Sequence, residues 1–237
     1  MSAPARTPAP TVAPFRNAVV EQQGWHLRIR QLPLAACNTT RLLQELRAFR
    51  AEVLYAGGRR PEFRNRAGEY VDAQLLDFGA YHITAHATAT APPGGYVRLV
   101  PPALTSQFQT RALLGPERFR ALLDAHQASE DDVYEPSRLV VAEHARGLGL
   151  GAVLNAAALA AAQALGAAGV VAICGMDDGQ HRFHQRFGYR LLPGTEHYDT
   201  HYEDHVSAMA HWTGDPNGEY HDLVHQIHRS ITAKAAC

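Results

Sequence analysis

The stretch from Tyr134 to Ile173 limits the choice of fold more than any other part of this sequence. Tyr134–Ala142 (YEPSRLVVA) ends in an apolar run and predicts a strand. Arg146–Gly151 (RGLGLG) follows with three alternating glycines, a backbone that turns tightly and brings its N–H groups close to a ligand. Ala152–Leu165 is built of strong helix formers, with six alanines between Ala156 and Ala162. Ala168–Ile173 is a second apolar strand. Strand, glycine loop, helix and strand make a crossover unit, which leaves its two strands parallel or splayed in one sheet. The loop opens onto a helix N-terminus, where partial positive charge, joined by Arg146, favours a phosphate.

Two phosphate motifs compete for this pattern, and both fit poorly. A Walker loop needs Gly-Lys-Ser/Thr, which does not follow. A dinucleotide fingerprint needs G-x-G-x-x-G and an acidic residue about 20 positions on; here the spacing is G-x-G-x-G and no such residue ends a strand. A glycine turn that merely lets the helix pack closely is the remaining alternative.

The flanks read more coarsely. Thr39–Tyr55 has apolar residues at Leu42, Leu43, Leu46, Phe49, Val53 and Leu54, a helical spacing. Leu75–Ala87 predicts a strand, Pro92–Gly95 (PPGG) a turn, and Tyr96–Val100 a second strand antiparallel to the first. Glu117–His126 predicts a short helix and Ser129–Asp132 an acidic turn. Gln180–Phe187 predicts another short helix, and Gly188–Leu192 a strand. The Ala/Pro-rich start (MSAPARTPAPTVAP) reads as a tail over residues 1–24, followed by one domain over 25–195 and a His-rich extension over 196–237, packed on the domain or appended to it.

Composition narrows the function. A formal net charge of −1 over 237 residues argues against a nucleic-acid partner. Basic residues do cluster at 59–66 (RRPEFRNR), a solvated loop or a landing place for an acidic carrier protein. Three distant cysteines suggest neither disulfides nor a zinc site. The apolar stretch from Ala152 to Cys174 is broken by Asn155, Gln163 and glycines, so no membrane span is expected, and a cytoplasmic location is the default. The 14 histidines include His197, His201 and His205, four residues apart, and His221, His225 and His228; on helices each set shares a face. No cysteine flanks them, and no metal is expected.

The motifs carry a resemblance. SRLVVAEHARGLGLG, followed by helix, strand, short helix and HRFHQRFGYR, resembles the GNAT superfamily of acyltransferases. A narrower pattern resembles the acyl-homoserine lactone synthases and N-acyl amino acid synthases over about residues 41–190. It comprises Phe49-Arg50-Ala51-Glu52-Val53, Glu69-Tyr70-Val71-Asp72 with Asp77, Arg98-Leu99-Val100-Pro101, Phe108, and Tyr134-Glu135-Pro136-Ser137-Arg138. The tryptophan those synthases carry after the first helix is missing, and the glycine loop is more complete than is usual in them.

The resemblance implies a mixed, mostly antiparallel sheet flanked by helices, with a splayed strand pair at the donor site. Coenzyme A thioester or acyl-phosphopantetheine would be the donor, held by Val140, Arg146, Gly147, Leu148, Gly149, Leu150 and Gly151; the acceptor would be a small-molecule amine. Arg50, Glu69, Asp72, Asp77, Arg98, Phe108 and Arg138 would bind the acceptor, the acidic residues taking its ammonium group; an exposed acidic loop is the plainer alternative. Aminolysis of a thioester also needs a base, an oxyanion donor and a proton for the leaving thiolate. Glu135 is the candidate base, or else a salt-bridge partner of Arg138 or Arg98. A backbone N–H near Val140 or Val141 would hold the oxyanion, and His184 would supply the proton, or else be a plain surface histidine. The expected activity is N-acylation of an amino acid or related amine from acyl-coenzyme A or acyl carrier protein. Plain acetyl transfer from acetyl-coenzyme A and a silent acyl-thioester sensor are the alternatives.

Overall fold

A computed structural model describes residues 16–32, 39–58, 60–200 and 202–235. Nine strands form one sheet in the order β1-β2-β3-β4-β5-β6-β9-β7, with β8 paired to β9. The strands are β1 Asn17–Gln22, β2 Trp25–Gln31, β3 Tyr81–His86, β4 Pro93–Val100, β5 Val133–Val141, β6 Gly169–Gly175, β7 Arg190–Leu191, β8 His197–Asp199 and β9 Asp204–Trp212. Among the nine strands only β5 and β6 run parallel; every other strand pairing is antiparallel. This is the mixed sheet that the sequence implies.

Helices cover both faces. On one face α4 (Leu150–Ala164) and α6 (His221–Ala235) pack over Leu27, Ile83, Val97 and Leu99. The alanines of α4 are buried almost all the way round, because small side chains let α6 and the sheet approach the helix together. On the other face lie α1 (Thr39–Ala56), α2 (Gln109–Leu114) and α3 (Pro116–Ala125). β3 is buried along its whole length, so its two faces serve different neighbours. Tyr81, Ile83 and Ala85 join the apolar core, while the buried His82, Thr84 and His86 alternate with them along the strand.

Four boundaries differ from the expectation. The sheet begins at Asn17, inside the segment read as a tail, because Ala18 and Val20 bury into the core beside α6; residues 1–15 lie outside the described residues. β9 lies between β6 and β7, so the segment read as an extension supplies a strand of the sheet, and α6 packs on α4. The PPGG run is strand from Pro93 onward, not turn. A Cβ on Gly95 would stand 2.7 Å from Leu154 Cδ1, and one on Gly94 would stand 3.1 Å from Trp25, so these glycines admit close neighbours. Leu75–Asp77 is a 3-10 turn, and the strand read over 75–87 starts only at Tyr81.

Candidate active site

The site starts where two strands part. β5 and β6 pair at Val133–Gly169 and Tyr134–Val170, and at no later described residue, although they continue to Val141 and Gly175. A bulge bends β5: Tyr96 faces Val140 and Arg98 faces Ser137, so β5 carries one residue more than β4. Arg138 sits in that bulge with φ +59°, a left-handed conformation that costs a non-glycine residue about 1–2 kcal/mol. Ala142 donates its N–H to Gly94 at 2.9 Å. Directions alternate along an extended strand, so the Val141 N–H turns to the opposite edge, into the gap left by β6.

The glycine loop lies at the foot of this gap. Gly147 and Gly149 have φ of +77° and +75°, which only glycine adopts freely, and a Cβ on either would meet open space. Gly151 lies close to both the gap and α5 (Gln180–Gln185): a Cβ there would be 3.9 Å from Val141 and 3.8 Å from Phe183. Arg146 donates to the Val141 carbonyl at 3.3 Å, and Leu148 is exposed. At the start of α4 Ala152 and Val153 donate to the Gly149 carbonyl at 3.0 and 3.2 Å, which leaves the Leu150 and Gly151 N–H groups without helical acceptors.

On the α1 face four arginines converge on two aspartates. Arg50 donates to Asp77 through Nη1 (2.6 Å) and Nη2 (3.1 Å). Arg98 reaches Asp77 Oδ1 at 2.8 Å and Arg47 reaches Oδ2 at 2.8 Å. Asp72 accepts from Arg138 Nε at 3.0 Å and forms an ion pair with Arg50, whose Nε stands 3.0 Å away without a hydrogen bond. Burial alone would raise the Asp77 pKa, but the hydrogen bond and charge of Arg50, with Arg98 and Arg47 behind it, hold its carboxyl well below the usual range. Arg50 also donates to Tyr96 OH at 3.1 Å; Tyr96 OH donates to His82 Nδ1 at 2.8 Å; His82 Nε2 donates to the Asp77 carbonyl at 2.9 Å. That chain fixes His82 as a neutral imidazole, with its pKa pushed down by burial to about 4.

This corrects the expected role of the acidic residues. Asp72 and Asp77 are committed to guanidinium groups and present no free carboxylate to an ammonium group. Glu69 lies apart, exposed, accepting from Asn65 Nδ2 at 2.9 Å. The cluster is instead rich in positive charge, and Arg98 Nη2 is buried without a hydrogen-bond partner.

Other candidates fall elsewhere. Glu135 is 1% exposed, and its two oxygens accept the N–H groups of Gln109 (3.0 Å) and Thr110 (2.8 Å), so it caps α2 instead of facing the glycine loop. Phe108 is wholly buried in the core between α2, α3 and the sheet. His184 packs edge-on against Phe183 and Tyr189. Its ring is only partly covered, but Nδ1 is sealed from solvent, and burial pushes the pKa down to about 4. At neutral pH it is therefore not the imidazolium that was expected to protonate a thiolate. His197 and His205 lie on β8 and β9, not on a helix, and His201 is outside the described residues.

Sequence reasoning missed three participants. Arg47 sits one helical turn before Arg50 on α1, a spacing that does put both on one face. Arg60 and Tyr202 meet only through the fold, the guanidinium lying 4.1 Å from the ring centroid.

Comparison with known proteins agrees with this architecture. Residues 116–189, which hold β5, the glycine loop, α4, β6 and α5, match the Acetyltransferase (GNAT) family. No curated protein sequence matches the chain. Among solved structures, MesI, a CoA-dependent acyl-homoserine lactone synthase, superposes with a TM-score of 0.57 at 16% identity, over 85% of this chain and 95% of its own. BjaI, another CoA-dependent acyl-homoserine lactone synthase, solved with SAM and isopentyl-CoA, gives 0.55 at 20% identity, over 88% and 98%. An acyl-CoA N-acyltransferase from Pseudomonas aeruginosa gives 0.52 at 18%, over 78% and 98%. The chain has the GNAT fold, in the form these synthases share.

Proposed function

We propose that this protein is an N-acyltransferase that moves an acyl group from a thioester donor, acyl-coenzyme A or acyl carrier protein, to the amine of an amino acid or related small molecule. The observation that carries the reading is the gap between β5 and β6, with the Gly147–Gly151 backbone at its foot and the arginine cluster on its other face. The loop and the α4 N-terminus suit the pyrophosphate or the pantetheine arm. The arm enters the gap, where Val141 N–H is placed to donate to the carbonyl oxygen as it becomes an oxyanion. One such donor contributes about 3 kcal/mol.

The acceptor side favours a negative group. Four guanidinium groups (Arg47, Arg50, Arg98, Arg138) stand against three carboxylates (Asp72, Asp77, Glu135), and Arg98 Nη2 lacks a hydrogen-bond acceptor. The carboxylate of an amino acid meets that need. In the reaction the free amine attacks the thioester carbon and the C–N bond forms. The C–S bond then breaks; the nitrogen gives its excess proton to water, and the thiolate takes a proton from water and leaves as the free thiol. Glu135 serves the site by fixing the start of α2, not by taking the amine's proton. The test is thiol release from acetyl-coenzyme A and from a series of longer acyl-coenzyme A thioesters, with amino acids and with amines that lack a carboxylate. Release that requires the carboxylate supports the reading. Donor binding with no release for any amine overturns it in favour of a sensor.

A further inference from the structure

The β8–β9 hairpin stands at the C-terminal end of β6, where Gly175 pairs with Val206 and Asp199 pairs with Asp204. This is the end at which β5 has parted from β6. The hairpin turn is pinned by Tyr202 N–H, which donates to Asp199 Oδ1 at 3.1 Å. From this turn the Tyr202 side chain crosses to the β5 side. Its ring lies under the Arg60 guanidinium at 4.1 Å, its hydroxyl donates to Gln109 Oε1 at 3.4 Å, and it is near enough to the bulge residue Arg138 to help hold that guanidinium's pKa up. Gln109 is the residue whose amide Glu135 holds, and Arg138 is the residue that Asp72 holds. One side chain from the far side of the opening thus touches three elements on the near side, all on the face that carries the arginine cluster.

We infer that Tyr202 is a specificity-determining residue: it closes the acceptor mouth of the β5–β6 gap and, through Arg138, orders the group that receives the acceptor. This rests on the acyl-transfer reading above. A ring held against a guanidinium is a rigid wall, with few rotamers to choose among. It admits small acceptors and excludes those whose side chain would have to displace the stack.

The experiment is steady-state thiol release by the full chain, wild type against Tyr202→Ala and Tyr202→Phe, with acyl-coenzyme A and amino acids of increasing side-chain size. Tyr202→Ala is expected to raise the acceptor KM at least about tenfold, as loss of an ordered hydrogen-bonding group does, while the donor KM stays within about twofold and bulkier amines become substrates. Tyr202→Phe keeps the stack and loses the hydroxyl, so the acceptor KM rises by a smaller factor and the size limit holds. Should Tyr202→Ala not fold, Tyr202→Phe carries the test alone, and an unchanged acceptor KM refutes the inference. An indifferent Tyr202→Ala, or donor and acceptor KM rising together, overturns it while leaving acyl transfer intact. A wild type that releases no thiol with any amine ends both.

Discussion

Asp77 receives the Arg50 guanidinium end-on, from Nη1 at 2.6 Å and Nη2 at 3.1 Å, with neither residue exposed to solvent. The pair is the centre of the acceptor-side cluster, because Arg47 and Arg98 lean on the same carboxylate. Replacing Asp77 with Asn removes the charge that balances three guanidinium groups. Breaking a buried pair in this way costs about 3–5 kcal/mol. Chemical denaturation is expected to show a loss of that size; a loss below about 1 kcal/mol, the range of an exposed pair, contradicts the buried network.

Acid should weaken the fold before the carboxylates titrate. His82 and His184 both have pKa values pushed down by burial from 6.5 to about 4. A depressed pKa means that the folded state prefers the neutral imidazole. The stability is thus fully present above pH 6.5 and is lost as pH falls toward 4. Below that window Asp77 acts in the same direction, since its carboxyl is also held below its ordinary value. Unfolding followed from pH 8 to pH 4 should show a steady decline beginning near 6.5, and His82→Gln should flatten part of it. A flat profile down to pH 5 would show that these imidazoles are not buried in solution.

How much of this was readable in the sequence depends on the range of the interactions. The crossover unit from Tyr134 to Ile173 was legible because its signals are local: alternating glycines, an alanine run and two apolar strands. Arg50, Asp72, Asp77, Arg98 and Arg138 were found through motif resemblance, and the structure brings them together. Their electrostatics were misjudged, because the charge balance of a cluster appears only when α1, β4, the β5 bulge and the 72–77 loop meet. Pro92–Gly95 was misread for a related reason. The glycines there answer to Leu154 and Trp25, which are distant in sequence. Tyr202 gave no local signal, since its role depends on where a hairpin places it.

Glu135→Gln separates a cap from a base. A neutral amide has a single acceptor oxygen for two N–H groups and presents an N–H₂ to one of them. The variant should lose about 2 kcal/mol of stability, the range of hydrogen bonds to a charged group, while the folded fraction keeps turning over. Unchanged stability with turnover reduced about 10²-fold or more would return Glu135 to the role of general base.

Two glycines should answer differently to alanine. Gly95→Ala forces a methyl to within 2.7 Å of Leu154 and is expected to cost about 1–3 kcal/mol as overpacking, with donor affinity unchanged in the folded protein. Gly149→Ala meets no neighbour but holds φ at +75°, so it costs about 1–2 kcal/mol and weakens the donor that shares that backbone. Equal donor affinity in Gly149→Ala and wild type would detach the loop from donor binding.

The most direct test of the whole account is thermal stability with and without coenzyme A and phosphopantetheine. A donor seated on the Gly147–Gly151 backbone at about 100 times its dissociation constant stabilises the fold by about 2.7 kcal/mol, and the shift should shrink in Gly149→Ala. No shift with either ligand would contradict a donor site at this loop and, with it, the assignment of acyl transfer.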